Sequence, residues 1–419
     1  MSERYDREYP KIRPVEAFPH YEGPQQGICL RDPRGIASNI LVLPLPVFFV
    51  ATLFDGRHSI LDIQEAFTRR FQQLITRKQI EEIICRLDEE LYMDTETFQR
   101  ALEVLREEFR AAPFREPAHA GAVYHPEPEP LKAQLRGYLE AIGEDGSRPA
   151  GKVEDTSKRL KVLIAPHIDF HRGGIGFAHA YREISRSVPA DLYLIFGTAH
   201  QSQSSQFILT AKDYNTPLGR METDVEFVER FSREAPVDVF EEELLHRNEH
   251  SAEFQAVWLR YMLDGEWRGK IVPILCGSFH RYVMEGTSPR QDPVLSECLD
   301  LLRRLVDEYP GEVALVAGVD LSHVGKRFGH ERGISAMELA RVERDDREVL
   351  EAIQSGEAER FFGCVAGMKD RNNVCGLSPI YMVLDVARPG PGRFLFYDQA
   401  IERETESVVT FASFSFYEE

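Results

Sequence analysis

Cysteine is scarce in this chain of 419 residues. Six are present (Cys29, Cys85, Cys276, Cys298, Cys364 and Cys375), all single and with no C-x-x-C pair. That excludes a disulfide scaffold and reads as reduced thiols. A membrane span is lacking too: the longest apolar run, Asn39 to Phe54 (NILVLPLPVFFVATLF), is too short and is interrupted by Pro44 and Pro46. The opening MSERYDREYPKIR is polar and charged and offers no secretory apolar core. Positive charge is in deficit, 50 Lys and Arg against 69 Asp and Glu, for a net charge of -19. Such a balance disfavours a phosphate-backbone partner, whose affinity depends on clustered cations. Internal repeats and low-complexity tracts are absent. The expectation is a cytoplasmic protein with no membrane and no nucleic-acid partner.

What is present suits an ordered chain, with 43% hydrophobic and 28% charged residues. Its length exceeds what one core usually supports, so two domains are expected. Composition breaks between Ala111 and Pro130 (AAPFREPAHAGAVYHPEPEP), where five prolines interrupt regular structure. The expected domains are therefore 1–111 and 112–419. In the first, Ile60 to Arg70 and Gln79 to Leu91 show helical apolar spacing, with Thr76 as an N-cap and Asp55-Gly56 as a turn. The DPRG step at Asp32 to Gly35, FVATLFDG at Phe49 to Gly56, Ser59-Ile60 and Leu87 through Leu91 resemble the small winged-helix domains related to PqqD. That resemblance implies an accessory domain that contacts a peptide or partner protein. DNA is disfavoured, because the second helix carries Glu81, Glu82, Asp88, Glu89 and Glu90 against Lys78 and Arg86.

Downstream, apolar runs end in polar, metal-competent residues. Leu160 to Ala165 leads to His167, Asp169 and His171; Leu192 to Phe196 leads to His200. Ile271 to Leu275 leads to Cys276 and His280, and Val313 to Val319 leads to Asp320 and His323. Amphipathic stretches such as Ala252 to Leu263 and Pro293 to Tyr309 separate the runs. This βαβ rhythm predicts an α/β domain whose functional groups gather beyond the strand ends. Imidazole, carboxylate and thiolate groups converging from separate loops are what a divalent transition metal requires, and hydrogen-bonded loop histidines are the alternative.

Nine motifs occur in order. They are AHAGAVYHPEPEPLKAQLRGYL (Ala118 to Leu139), APHIDF (Ala165 to Phe170), FGTAH (Phe196 to His200), YNTPLG (Tyr214 to Gly219), NEHSAEFQ (Asn248 to Gln255), VPILCGSF (Val272 to Phe279), GVDLSHVG (Gly318 to Gly325), VCGLSPI (Val374 to Ile380) and YDQA (Tyr397 to Ala400). In this order they resemble the Memo family, in the version called AmmeMemoRadiSam system protein B. The resemblance implies a central mixed sheet flanked by helices, as in the LigB-like class III extradiol dioxygenases. It also implies an iron or copper ion held by His167, His200 and Cys375. Many relatives carry two adjacent histidines where this chain has His200-Gln201, so either residue is a candidate to face the ion. Asp320, His323 and His250 are expected as acid-base or supporting groups, and radical-SAM and AMMECR1-like proteins as partners.

Three readings compete on function: a metal-dependent redox enzyme; a scaffold or peptide-binding protein with a vestigial pocket; and a zinc peptidase using HRNEH at His246 to His250, which matches H-x-x-E-H. Asn248 and Ser251 are plausible caps, so a helix is expected to begin inside that last motif. Cys375 stands before Ser378-Pro379, a helix start expected to lower its thiol pKa. The other five cysteines are assigned to packing.

Overall fold

The computed structural model describes residues 8–20, 27–143, 159–263 and 267–418. By packing, the chain divides into two compact units, Met1–Ala112 and Pro113–Glu419. In the first, strands β1 (Glu16–His20), β2 (Gly27–Arg31) and β3 (Leu41–Pro44) form an antiparallel sheet with β2 in the middle. Helices α1 (Leu45–Thr52), α2 (Ile60–Phe71), α3 (Arg77–Glu89) and α4 (Glu96–Ala111) follow. The long apolar run thus divides into strand and helix: Pro46 falls in the first turn of α1, where a missing N–H costs no helical bond. Ser59 with Asp62 and Thr76 with Gln79 close capping boxes on α2 and α3. Because Thr76 caps it, α3 starts at Arg77, ahead of the apolar periodicity that marked it in the sequence. Helix α4, not anticipated above, is capped by Thr95 and buries Phe98, Leu102 and Phe109. In the DPRG turn, the buried Asp32 carboxylate accepts from the N–H groups of Arg34, Ile36 and Ala37 at 2.9–3.0 Å and pairs with Arg13 at 3.0 Å.

The second unit opens with β4 (Phe114–Arg115), α5 (Pro128–Ala141), β5 (Leu160–Ala165), α6 (Phe170–Ser185), β6 (Leu192–Thr198), β7 (Phe207–Leu209) and β8 (Asp213–Tyr214). It continues with α7 (Val225–Glu234), α8 (His250–Met262), β9 (Lys270–Cys276), α9 (His280–Glu285), α10 (Pro293–Asp307), β10 (Val313–Gly318) and β11 (His323–Gly325). Helices α11 (Ala336–Gln354), α12 (Ala358–Gly367) and α13 (Leu377–Ala387) precede the hairpin of β12 (Arg393–Glu402) and β13 (Ser407–Tyr417). Among the described residues the main sheet has eight strands. Strands β5, β10, β6 and β9 run parallel in that spatial order, between antiparallel β13 and β7, with β11 and β12 paired to β13.

The parallel strands are apolar throughout because both of their faces are covered. Val162, Ile164, Leu194, Phe196, Val272, Ile274, Leu315 and Ala317 join one core, with residues of α7, α10, α12 and α13. The alternate residues Leu163, Ala165, Tyr193, Ile195, Ile271, Leu275, Ala314 and Val316 join another, with α5, α6 and α8. The result is a mixed sheet flanked by helices.

Two glycines decide how closely α8 approaches the sheet. A Cβ on Gly197 would lie 2.5 Å from Ser251 Oγ, and one on Gly318 would lie 2.4 Å from the Ser251 carbonyl oxygen. Lacking both, the first turn of α8 sits directly on the carboxyl ends of β6 and β10.

Candidate metal centre

That close seating brings a helix start to the strand-end loops. His167 follows β5, His200 follows β6, and His250 is the first residue of α8. One ligand nitrogen from each of the three lies within 4.8 Å of the others. The Nδ1 atom of each ring is already engaged. His167 Nδ1 donates to the Gly318 carbonyl at 2.9 Å, while His200 Nδ1 and His250 Nδ1 meet the Glu249 carboxylate at 3.1 and 3.2 Å. An Nδ1 occupied in this way leaves Nε2 as the nitrogen that faces a metal in sites where hydrogen-bonded partners orient the histidines. Glu249 is also the N-cap of α8, accepting from Ser251 N–H at 3.0 Å, and it accepts from His200 N–H at 3.2 Å.

The electrostatics favour neutral rings at His167 and His250. Burial and the neighbouring His200 depress His167 to about 3, and burial holds His250 well below its ordinary value despite Glu249. Burial opposes charge on His200 too, but there Glu249 wins and the pKa is raised. Burial pushes Glu249 up, yet His200 and His250 outweigh it and hold the carboxyl well below the usual range. His167 is 2% exposed, whereas His200 and His250 are each 31% exposed, so the triad has a closed inner side and an open outer one.

The remaining expected residues surround this triad. Asp320 Oδ1 accepts from the N–H groups of His167 and Ile168 at 3.0 and 3.2 Å, and Oδ2 stands 3.7 Å from His167 Nε2. Burial raises the Asp320 carboxyl to about 6. His323, at the start of β11, is depressed by burial; its Nδ1 bonds the Leu321 carbonyl at 3.1 Å and its ring lies edge-on to Phe328. Cys375 Sγ is 3.3 Å from His167 Nε2 and 3.5 Å from the Asp320 carbonyl oxygen. It is not one of the three mutually close donors, a place taken by His250. Its thiol also departs from expectation. Burial, with Asp320 and Glu249 nearby, pushes the pKa well up and outweighs the helix start that was expected to lower it.

Other strand-end residues do different work. Asp169 is the N-cap of α6, accepting from His171 and Arg172 N–H and pairing with the Arg172 side chain, and His171 is exposed. Cys276 is buried in the core and His280 begins α9 at the surface. His246 lies in a 3-10 turn, Glu243–Arg247, with Tyr214 hydroxyl on Nδ1 at 2.7 Å and the Ile208 carbonyl on Nε2 at 3.0 Å. Because α8 starts only at His250, HRNEH does not present two histidines on one helix, and both His246 nitrogens are spent. Gln201 is absent from the triad, and His200 is the member that this loop contributes. Glu249, which stands beside two of the three rings, was legible as the glutamate of HRNEH and of NEHSAEFQ but not as a group that orients His200.

Comparison with known proteins agrees with the motifs. A family model described as Memo-like protein matches residues 115–415. A MEMO1 family protein of Aquifex aeolicus is 25% identical over 413 residues, covering 97% of this chain and all of the relative. One from Thermus thermophilus is 25% identical over 355 residues, covering 85% of this chain and 98% of the relative. One from Methanosarcina barkeri is 28% identical over 275 residues, covering 65% of this chain and 87% of the relative.

Proposed function

This chain belongs to the Memo-like protein family, and on that premise we propose that it binds one divalent transition-metal ion through His167, His200 and His250 and acts as a redox enzyme of LigB-like fold. The observation that carries the reading is the convergence of the three rings: one nitrogen of each lies in a single 4.8 Å cluster, while His167 Nδ1 is held by the Gly318 carbonyl and Nδ1 of His200 and of His250 stands beside the Glu249 carboxylate. The donor set fits such an ion, since neutral imidazoles suit iron and copper alike. Bound there, the ion would supply Lewis acidity and electron transfer, with the exposed side of the triad left for substrate.

The chain's own residues define the rest. Glu249 keeps the Nδ1 proton of His200 in place, and so keeps its Nε2 available, and stands 3.2 Å from His250 Nδ1. Asp320 spends Oδ1 on two backbone donors, and with a pKa of about 6 its Oδ2 is the oxygen that takes up or releases a proton beside His167. Cys375 adds a thiol next to His167, as a further donor for a soft metal. His323 flanks the site as a neutral base.

Metal analysis of the purified chain tests this reading, compared with His167→Ala. A variant that keeps the wild-type metal content would sink it, and oxygen uptake by the loaded chain that is lost in the variant would extend it to redox chemistry.

A second role rests on the first unit. The outer face of its sheet places Phe18, Cys29 and Val42 side by side in register, with Phe18 and Val42 exposed. We propose that this PqqD-like unit contacts a peptide or a partner of the radical-SAM and AMMECR1-like kind in the cytoplasm. Pull-down with the full chain tests it: Val42→Arg should release the partner while metal content stays constant, and equal capture would refute it.

A further inference from the structure

Arg115, the last residue of β4, is fully buried, with 0% side-chain exposure. A guanidinium in that setting is tolerated only where its donors find acceptors. Here Nε donates to the His246 carbonyl at 2.8 Å and Nη2 to the Glu249 carbonyl at 3.0 Å. Nη1 pairs with Glu253, itself 1% exposed, and the guanidinium lies over the Tyr214 ring at 5.0 Å. One side chain therefore grips the 3-10 turn before α8, the helix cap, and the first turn of α8 itself. His250 lies between the points it holds.

Glu253 extends the grip. Its carboxylate accepts from Ala118 N–H at 3.1 Å, His119 N–H at 3.0 Å and the Tyr124 hydroxyl. His119 in turn meets the Asn248 carbonyl through Nε2 at 3.0 Å, and its ring sits edge-on to His250 with centroids 5.7 Å apart. The segment from Arg115 to Tyr124 is thus tied to the helix start by one ion pair and by hydrogen bonds to backbone groups.

We propose that Arg115 and Glu253 form a positioning pair for the metal site, fixing the backbone on both sides of Glu249 and so setting where the Glu249 carboxylate and the His250 ring stand relative to His167 and His200. The proposal rests on the metal reading above. It requires arginine in particular, because a lysine ammonium supplies the charge without the fork that reaches two carbonyls and a carboxylate. Orienting groups of this kind typically govern metal affinity by about 10–100-fold.

The test uses the full chain with Cu(II) as probe, read by competitive titration and by electron paramagnetic resonance. Arg115→Lys should stay folded, bind copper at least about tenfold more weakly, and give a copper spectrum different from that of the wild-type chain. Should Arg115→Lys fail to fold, the double variant Arg115→Met/Glu253→Met removes both buried charges together and carries the same expectation. A merely structural role would lower melting temperature while leaving the copper spectrum unchanged. A folded variant with wild-type affinity and spectrum overturns this proposal alone, provided that His250→Ala has lost the ion. A wild-type chain that takes up no copper overturns the metal reading and the proposal with it.

Discussion

Replacing Glu249 by glutamine removes one charge while keeping the shape of the side chain, and its effect on metal binding follows from who donates to which oxygen. Oε1 receives Ser251 N–H at 3.0 Å and lies 3.2 Å from His250 Nδ1, while Oε2 receives His200 N–H at 3.2 Å; His200 Nδ1 lies 3.1 Å from both. Every hydrogen-bonded neighbour is a donor. A glutamine offers one accepting oxygen and one NH2 group, so whichever way the amide turns, NH2 faces a donor. With the amide oxygen at the Oε1 position, Ser251 keeps its acceptor and the His200 loop loses one. In the opposite orientation the helix cap loses its own. An imidazole freed in this way can move its proton to Nε2 and withdraw the lone pair that the ion needs. The expected loss is about 10–100-fold in affinity, or roughly 1.4–2.7 kcal/mol. Competition between the metal-free chain and a chromophoric chelator for Zn(II) measures it, with circular dichroism to show that the fold persists. Affinity within about twofold of wild type would refute the reasoning, since that is under half a kcal/mol.

Other outcomes follow from the same coordinates. Gly318→Ala places a Cβ 2.4 Å from the Ser251 carbonyl oxygen, so it should cost about 1–3 kcal/mol in denaturant unfolding and weaken metal binding by moving α8 outward. Asp32→Asn breaks a pair whose side chains are 0% and 4% exposed, and should destabilise the first unit by about 3–5 kcal/mol in chemical denaturation. Burial pushes the Asp32 carboxyl up, but Ala37 N–H and Arg13 hold it below its ordinary value, so its contribution is present above the unfolded pKa and fades as pH falls. His246 is depressed to about 3 by burial, so the unfolded chain binds an extra proton between about 6.5 and 3. Stability of the metal-free chain should therefore drop by roughly 1.4 kcal/mol per pH unit from this group as pH falls through that window, and His246→Asn should flatten the slope in melts across pH.

The parallel strands were legible because a sheet covered on both faces leaves no polar alternation: LKVLIA, IVPIL and VALVAGV stand out as apolar blocks bounded by loops. His167 and His200 were legible for the same reason, as polar groups placed just beyond such blocks. His250 was harder. It lies fifty residues along the chain from His200 and begins a helix, and it reaches the strand ends only because Gly197 and Gly318 lack side chains. Local sequence carries no trace of that approach. Asp169 and His171 carry metal-competent side chains close to His167 in sequence, yet one caps α6 and the other is exposed to solvent. Helix α4 was passed over although Thr95, Phe98 and Leu102 have the right spacing, because the proline-rich segment after it drew the boundary.

Metal content of His250→Ala and Cys375→Ala, measured side by side on the full chain by inductively coupled plasma mass spectrometry after loading and desalting, tests the three-imidazole centre most directly. Three imidazoles as the primary donors predict that His250→Ala loses the ion while Cys375→Ala keeps it with altered spectroscopy. Retention of the ion in His250→Ala, together with its loss in Cys375→Ala, would contradict the account.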